Sequence, residues 1–193
     1  MRRQMHYILD IEKIGRIFLL IFAVIDFAKN GNENILRRLI FYSFIYYILN
    51  VIQLTTGGIC IPPMEEFRIV TYNLIPFRFV YDWIHKYNST GFSWFFWRAV
   101  KLTVYNFIML FPLGIYLPLV YGIRDAKKVT LCLFLTTLTI ETYQVIFSYF
   151  GLVRMRTFNV DDLMLNTLGG VLGYYVYEAL IPRIRRKFHY HSS

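Results

Sequence analysis

The chain has 193 residues, 56% of them hydrophobic and 19% aromatic, with a formal net charge of +9. A mean hydropathy of +0.43 is too high for a soluble domain of this length and marks a small polytopic membrane protein in one domain, residues 1–193. The basic residues stand beside apolar runs, at Arg37 and Arg38, Lys127 and Lys128, and Arg183, Arg185, Arg186 and Lys187; this suits membrane flanks and anionic headgroups, and argues against a nucleic-acid partner.

Taken in chain order, the first apolar run is residues 14–28. It follows Arg2 and Arg3 like a signal-peptide core, but no small-residue cleavage site comes after it. It is apolar all round from Ile17 to Ile25, carries Asp26 near its end, and reads as a short fifth span. Residues 39–56 form the first of four strong spans of about 20 residues. The stretch 57–101 holds Trp83, Trp94 and Trp97 among many Phe and Tyr, the composition of a membrane–water boundary, with an interfacial helix expected over 92–100. The other strong spans are 102–121, 129–150 and 163–181. Pro112 and Gly114 predict a kink in the first of these three, where a cavity would open. The expected fold is therefore all-α, a polytopic transmembrane helix bundle of four strong spans plus a short N-terminal fifth, with an aromatic-rich interfacial segment on the outer side.

The basic flank at Arg183 to Lys187 places the C-terminus in the cytoplasm of a multi-pass cell-membrane protein. Alternation then puts residues 57–101 and 151–162 outside. Cys60 and Cys132 have no metal-ligand spacing and form no disulfide framework. The Asn88-Ser89-Thr90 sequon is too short a motif to carry weight.

Glu141 is the sole formal charge in the run 129–152. An ionisable group there is costly and is tolerated where it faces protein, water or a ligand. Gln144, three residues on, shares its helix face. At ~1.5 Å per residue, Glu141 lies roughly 13 Å below the outer helix end. Asn106 and Asn166 each fall about one turn inside a neighbouring span, and Arg156, Asp161 and Asp162 stand at the outer mouth. Each has a structural reading as well. Asn159 caps the last helix, with Asp162 completing a capping box. Asn106, Gln144 and Asn166 serve as interhelical glue, and Glu141 pairs with Arg156. Gly169 and Gly173, four apart, form a small-xxx-small face for close helix packing. Asp161 and Asp162 are weak candidates for a divalent cation; no metal or cofactor motif is present.

The series Asn73-Leu74-Ile75-Pro76-Phe77, then Asn106 with Phe111-Pro112-Leu113-Gly114, then Glu141 and Gln144, then Arg156-Thr157-Phe158-Asn159-Val160-Asp161-Asp162-Leu163, then Asn166-Thr167-Leu168-Gly169-Gly170 resembles the VanZ-like family over about residues 39–177. One departure is Asn159, where the family pattern often has an acid. The resemblance implies a bacterial integral membrane protein; the name-giving member is linked to low-level resistance to the glycopeptide teicoplanin.

Two functions follow as expectations. The first is a non-enzymatic factor whose outer-facing polar pocket binds an envelope lipid, a lipid-linked wall precursor or a glycopeptide. The second is an intramembrane enzyme acting on a lipid-phosphate headgroup, with Glu141 as acid or base and Arg156 holding the phosphate. The dispersed His6, His85, His189 and His191, and the absence of a nucleophile motif, favour the first. A carrier is disfavoured, because no internal repeat is visible.

Overall fold

The computed structural model describes residues 6–64 and 70–189, with side chains to Leu180. Arg2, Arg3 and His191, and the side chains of Arg183, Arg185, Arg186 and Lys187 on which the expected orientation rests, lie outside the described residues. The described chain is predominantly helical. In order it forms β1 (Tyr7–Leu9), α1 (Ile11–Asn30), α2 (Ile35–Thr56), β2 (Ile59–Ile61), β3 (Thr71–Asn73), α3 (Arg78–Thr90), α4 (Trp94–Met109), α5 (Phe111–Val120), α6 (Ala126–Tyr149), β4 (Thr157–Asn159) and α7 (Val160–His189). Among the described residues, three helical stretches are long and apolar enough to cross a membrane: Ile35–Thr56, Trp94–Val120 and Ala126–Tyr149. The short strands, two antiparallel or paired ribbons of three residues each, are additions to the all-α expectation.

The chain forms two compact units, Met1–Tyr72 with Thr142–Phe158, and Asn73–Glu141 with Asn159–Ser193. In the first, α1 and α2 make an antiparallel hairpin. β1 and β2 close its open end in antiparallel register, with Ile8 opposite Cys60. Gly15 lets α1 approach α2 closely; a Cβ there would lie 2.5 Å from the Leu49 side chain. Asp26, the acid in the short apolar run, accepts from Arg38 Nε at 2.6 Å, from Asn30 Nδ2 at 2.7 Å and from the Tyr42 hydroxyl. The charge that sits awkwardly in the sequence is thus paired across the hairpin, at its looped end. Gly57, at φ +69, ends α2 in the left-handed conformation that a glycine adopts without a steric penalty.

In the second unit α7 packs against α4 and α5, and α3 packs on α4. The stretch Trp94–Val120 is two helices rather than one, because Pro112 has no N–H to continue the ladder, and the break falls at Leu110. Packing is close on both sides of the break. Leu110 is 1% exposed, and Gly114 faces the Gly170 carbonyl so closely that a Cβ would collide with its oxygen. Cβ atoms at Gly169 and Gly173 would collide in the same way with the carbonyls of Phe107 and Phe111. Backbone meets backbone along this face, so α7 sits deep against the α4–α5 bend.

Candidate functional site

The first turn of α7 gathers the polar residues of the second unit. Asn159 is its N-cap and its carboxamide does three things. Oδ1 accepts the Asp161 backbone N–H at 3.1 Å, which is the capping bond, and also accepts from Asn73 Nδ2 at 3.0 Å. Nδ2 donates to Asp162 Oδ1 at 3.0 Å. The flipped amide would set its NH2 against two donors, so this orientation follows from the network. An acid at position 159 would make the third bond only when protonated. This amide is one of the groups that hold Asp162 in place.

The capping box differs from the expected one. In such a box, an acid three residues into the helix takes the N-cap's own N–H. Here Asp162 takes the side-chain amide, and Glu141 from α6 supplies the missing acceptor: its Oε2 receives the Asn159 backbone N–H at 3.0 Å. Glu141 is 3% exposed. It therefore sits at the positive end of the α7 dipole, where a carboxylate is favoured. Asn106 Nδ2, from α4, donates to the same Asp162 oxygen that Asn159 reaches.

Asp161 joins two helix starts. It stands in the first turn of α7, and its carboxylate forks onto the beginning of α3, accepting from Phe77 N at 2.6 Å and from Phe79 N at 3.0 Å. Phe77 has φ +62, a left-handed conformation unusual for an aromatic residue. Asp161, 3% exposed, helps to hold it there. Both its oxygens are engaged with backbone, and among the described residues no group of three or more His, Cys, Asp and Glu is arranged to hold a metal.

One turn further in, Asn166 Nδ2 donates to Thr137 Oγ1 at 2.9 Å. Asn166 is 1% exposed, and its Oδ1 is buried with no hydrogen-bond partner among the described residues. Beside the cluster, α6 and α7 leave a shallow apolar groove of about 350 Å3, lined by Phe134, Val160, Leu163, Met164, Thr167 and Leu168. It begins at Val160, the residue next to the cap.

The remaining sequence candidates lie in the first unit. Gln144 Nε2 donates at 2.7 Å to the Thr55 carbonyl, one of the unsatisfied carbonyls at the end of α2. The Arg156 backbone N–H donates to Ser148 Oγ at 3.0 Å, and its guanidinium lies beside Gly57. The structure thus gathers Asn106, Glu141, Asp161 and Asp162 around Asn159 and places Asn166 one turn deeper, while in the first unit Gln144 meets Thr55 and Arg156 meets Ser148 and Gly57. The groups that sequence reasoning did not assign are the Asn73 side chain, the N–H groups of Phe77 and Phe79, and Thr137. Only Thr137 had a spacing signal, four residues before Glu141 on one helix face; Asn73 and Phe77 fell within the family resemblance without an assigned role.

The apolar helices and the acid–amide cluster at a helix start define an α-helical membrane protein. The VanZ/LLP1 family matches residues 39–181, and the chain belongs to that family. Comparison with curated proteins and with solved structures gives no match.

Proposed function

We propose that this is a non-enzymatic membrane factor that holds an amphiphilic envelope molecule, a lipid or lipid-linked wall precursor, at the start of α7. In this reading α1 and α7 join the three long apolar stretches to make five spans, the C-terminus is cytoplasmic, and the cluster faces the outer leaflet. The carrying observation is the junction at Asn159-Val160. A half-buried acid–amide network lies on one side of it, and the apolar α6–α7 groove on the other. A headgroup meets the first and an acyl chain the second, the mixed character expected of a small-molecule site.

The enzyme reading asks Glu141 to exchange protons, whereas its Oε2 is held by the Asn159 N–H and no His, Ser or Cys belongs to the hydrogen-bonded cluster described above. Holding a wall precursor or the drug itself would lower the access of a glycopeptide to its target and give teicoplanin-type resistance in a bacterial host. Leu168→Trp tests the reading, because Leu168 is 55% exposed and the larger side chain fills the groove without entering the core. Native mass spectrometry is expected to find envelope lipid on the purified wild type and to lose it on the variant. Equal retention would overturn the site. Expression of the wild type in a sensitive host that leaves the teicoplanin inhibitory concentration unchanged would overturn the resistance role.

A further inference from the structure

A second feature lies on α4, along the turns that precede Asn106. Trp94, Trp97, Arg98, Lys101, Leu102 and Tyr105 fall at alternating steps of three and one, which is a single stripe along a helix. They line a shallow depression of about 430 Å3. The aromatic rings are open, with Trp94 65%, Trp97 56% and Tyr105 43% exposed. Both cations lie over rings of their own helix, Arg98 Cζ 5.1 Å from the Trp94 centroid and Lys101 Nζ 5.2 Å from that of Tyr105. Among the described residues neither makes an ion pair.

Each part of this stripe matches a part of one ligand. Exposed Trp and Tyr sit at the level of lipid headgroups. A guanidinium and an ammonium three residues apart on a helix stand about 5–6 Å apart at Cβ, close enough to meet on one phosphate. The apolar rim at Leu102 and the ring faces suit the glycerol and first methylenes below it. An uncharged interfacial anchor would need the rings alone. Two unpaired cations held on them add a requirement for negative charge.

We propose that the α4 stripe is a binding site for an anionic phospholipid, with Arg98 and Lys101 on the headgroup phosphate and Trp94, Trp97 and Tyr105 around it. The site shares no residue with the α7 cluster and stands whether or not that cluster binds an amphiphile.

Two of the three tryptophans of the chain lie in the stripe, so fluorescence reads it directly. Trp83→Phe leaves only Trp94 and Trp97 as emitters. The full-length variant is reconstituted in phosphatidylcholine vesicles containing phosphatidylglycerol, with bromine on the acyl chains of one lipid or the other. Quenching by the brominated anionic lipid is expected to exceed that by brominated phosphatidylcholine, with a relative association constant of about 10 or more, since each cation near an anionic surface contributes about fivefold. The further change Arg98→Gln with Lys101→Gln is expected to bring that ratio close to one, while quenching by phosphatidylcholine and far-ultraviolet helicity stay as they were. A ratio near one before the double substitution would overturn the proposal, as would a high ratio that survives it. Should the double variant fail to fold, Lys101→Gln alone is expected to lower the ratio severalfold, and an unchanged ratio there would overturn the proposal equally.

Discussion

The Glu141 carboxylate on α6 accepts the backbone N–H of Asn159, the cap of α7, at 3.0 Å. An acid in an apolar span is thereby made part of the next helix's beginning. Replacing Glu141 by Leu leaves that N–H buried and unmade, at a cost of about 1–3 kcal/mol. Glu141→Gln keeps an acceptor oxygen for that N–H and removes the charge near the helix dipole, whose share is about 0.3–1 kcal/mol. Thermal unfolding in a mild detergent is expected to rank the three proteins wild type, Gln, Leu. If the Gln variant were as unstable as the Leu variant, the role of Glu141 as an acceptor would be wrong.

Asn159 is the joint of the network, and its chemistry is specific. Asn159→Asp preserves the capping oxygen but replaces the donor to Asp162 with a second carboxylate at hydrogen-bond distance. Asn159→Ser preserves the cap and introduces no charge. The Asp variant is expected to be the less stable of the two at neutral pH, by about 1–3 kcal/mol against wild type. Acidification is expected to narrow the gap, because protonating one carboxyl restores a donor. An Asp variant at least as stable as wild type at neutral pH would show that the amide is not needed.

The glycines of α7 give a sharper contrast. Ala at Gly169 or Gly173 sets its methyl against a backbone carbonyl, Phe107 or Phe111, which moves only if a helix moves. Ala at Gly15 meets the end of the Leu49 side chain, which can change rotamer. Gly169→Ala and Gly173→Ala are therefore expected to cost about 1–3 kcal/mol each from overpacking, and Gly15→Ala less. Chemical denaturation of the three variants checks the order.

Much of this was legible in the chain because apolar runs and polar interruptions are local signals. Residues 39–56 and 129–150 gave helices within a few residues of their ends, at Ile35–Thr56 and Ala126–Tyr149. Asn159 as a cap followed from its place before an apolar run. What was not legible depends on contacts between distant residues. Asn73 meets Asn159 across 86 positions, and Phe77 meets Asp161 across 84, so no spacing rule pairs them. The same holds for Glu141 completing the cap of another helix. The break at Leu110 was signalled by Pro112, but the close approach of Gly114 to Gly170 depends on a helix far along the chain.

At the start of α1, Asp10 caps the helix by accepting from the Lys13 backbone N–H at 3.2 Å. Its carboxyl is held below the ordinary value by the hydrogen bond from the Lys13 side chain first, and by that from the backbone N–H second. A carboxyl with a lowered value stabilises the fold fully above the ordinary carboxylate range, and the contribution is lost as pH falls through the lowered value. Amide exchange in the first turn of α1, corrected for intrinsic rate, is expected to show protection falling as the pH is taken from neutral to strongly acidic. In Asp10→Asn that pH dependence is expected to disappear. A wild-type profile as flat as that of the variant would contradict the assignment.

Asp161 holds the start of α3 through two N–H groups, one of them on a residue in the left-handed region. Holding Phe77 there costs about 1–2 kcal/mol, which glycine avoids. Asp161→Asn offers one oxygen where two were used and turns an NH2 toward the other N–H. It is expected to lose about 1–3 kcal/mol, with faster amide exchange confined to Phe77, Phe79 and the first turn of α3. Phe77→Gly keeps the N–H and removes the strain, and since the Phe77 ring is 60% exposed it gives up little packing. Combined with Asp161→Asn, it is expected to recover part of the stability without restoring slow exchange at Phe79. If the double variant were less stable than Asp161→Asn alone, the Phe77 ring would be contributing more than its backbone conformation costs.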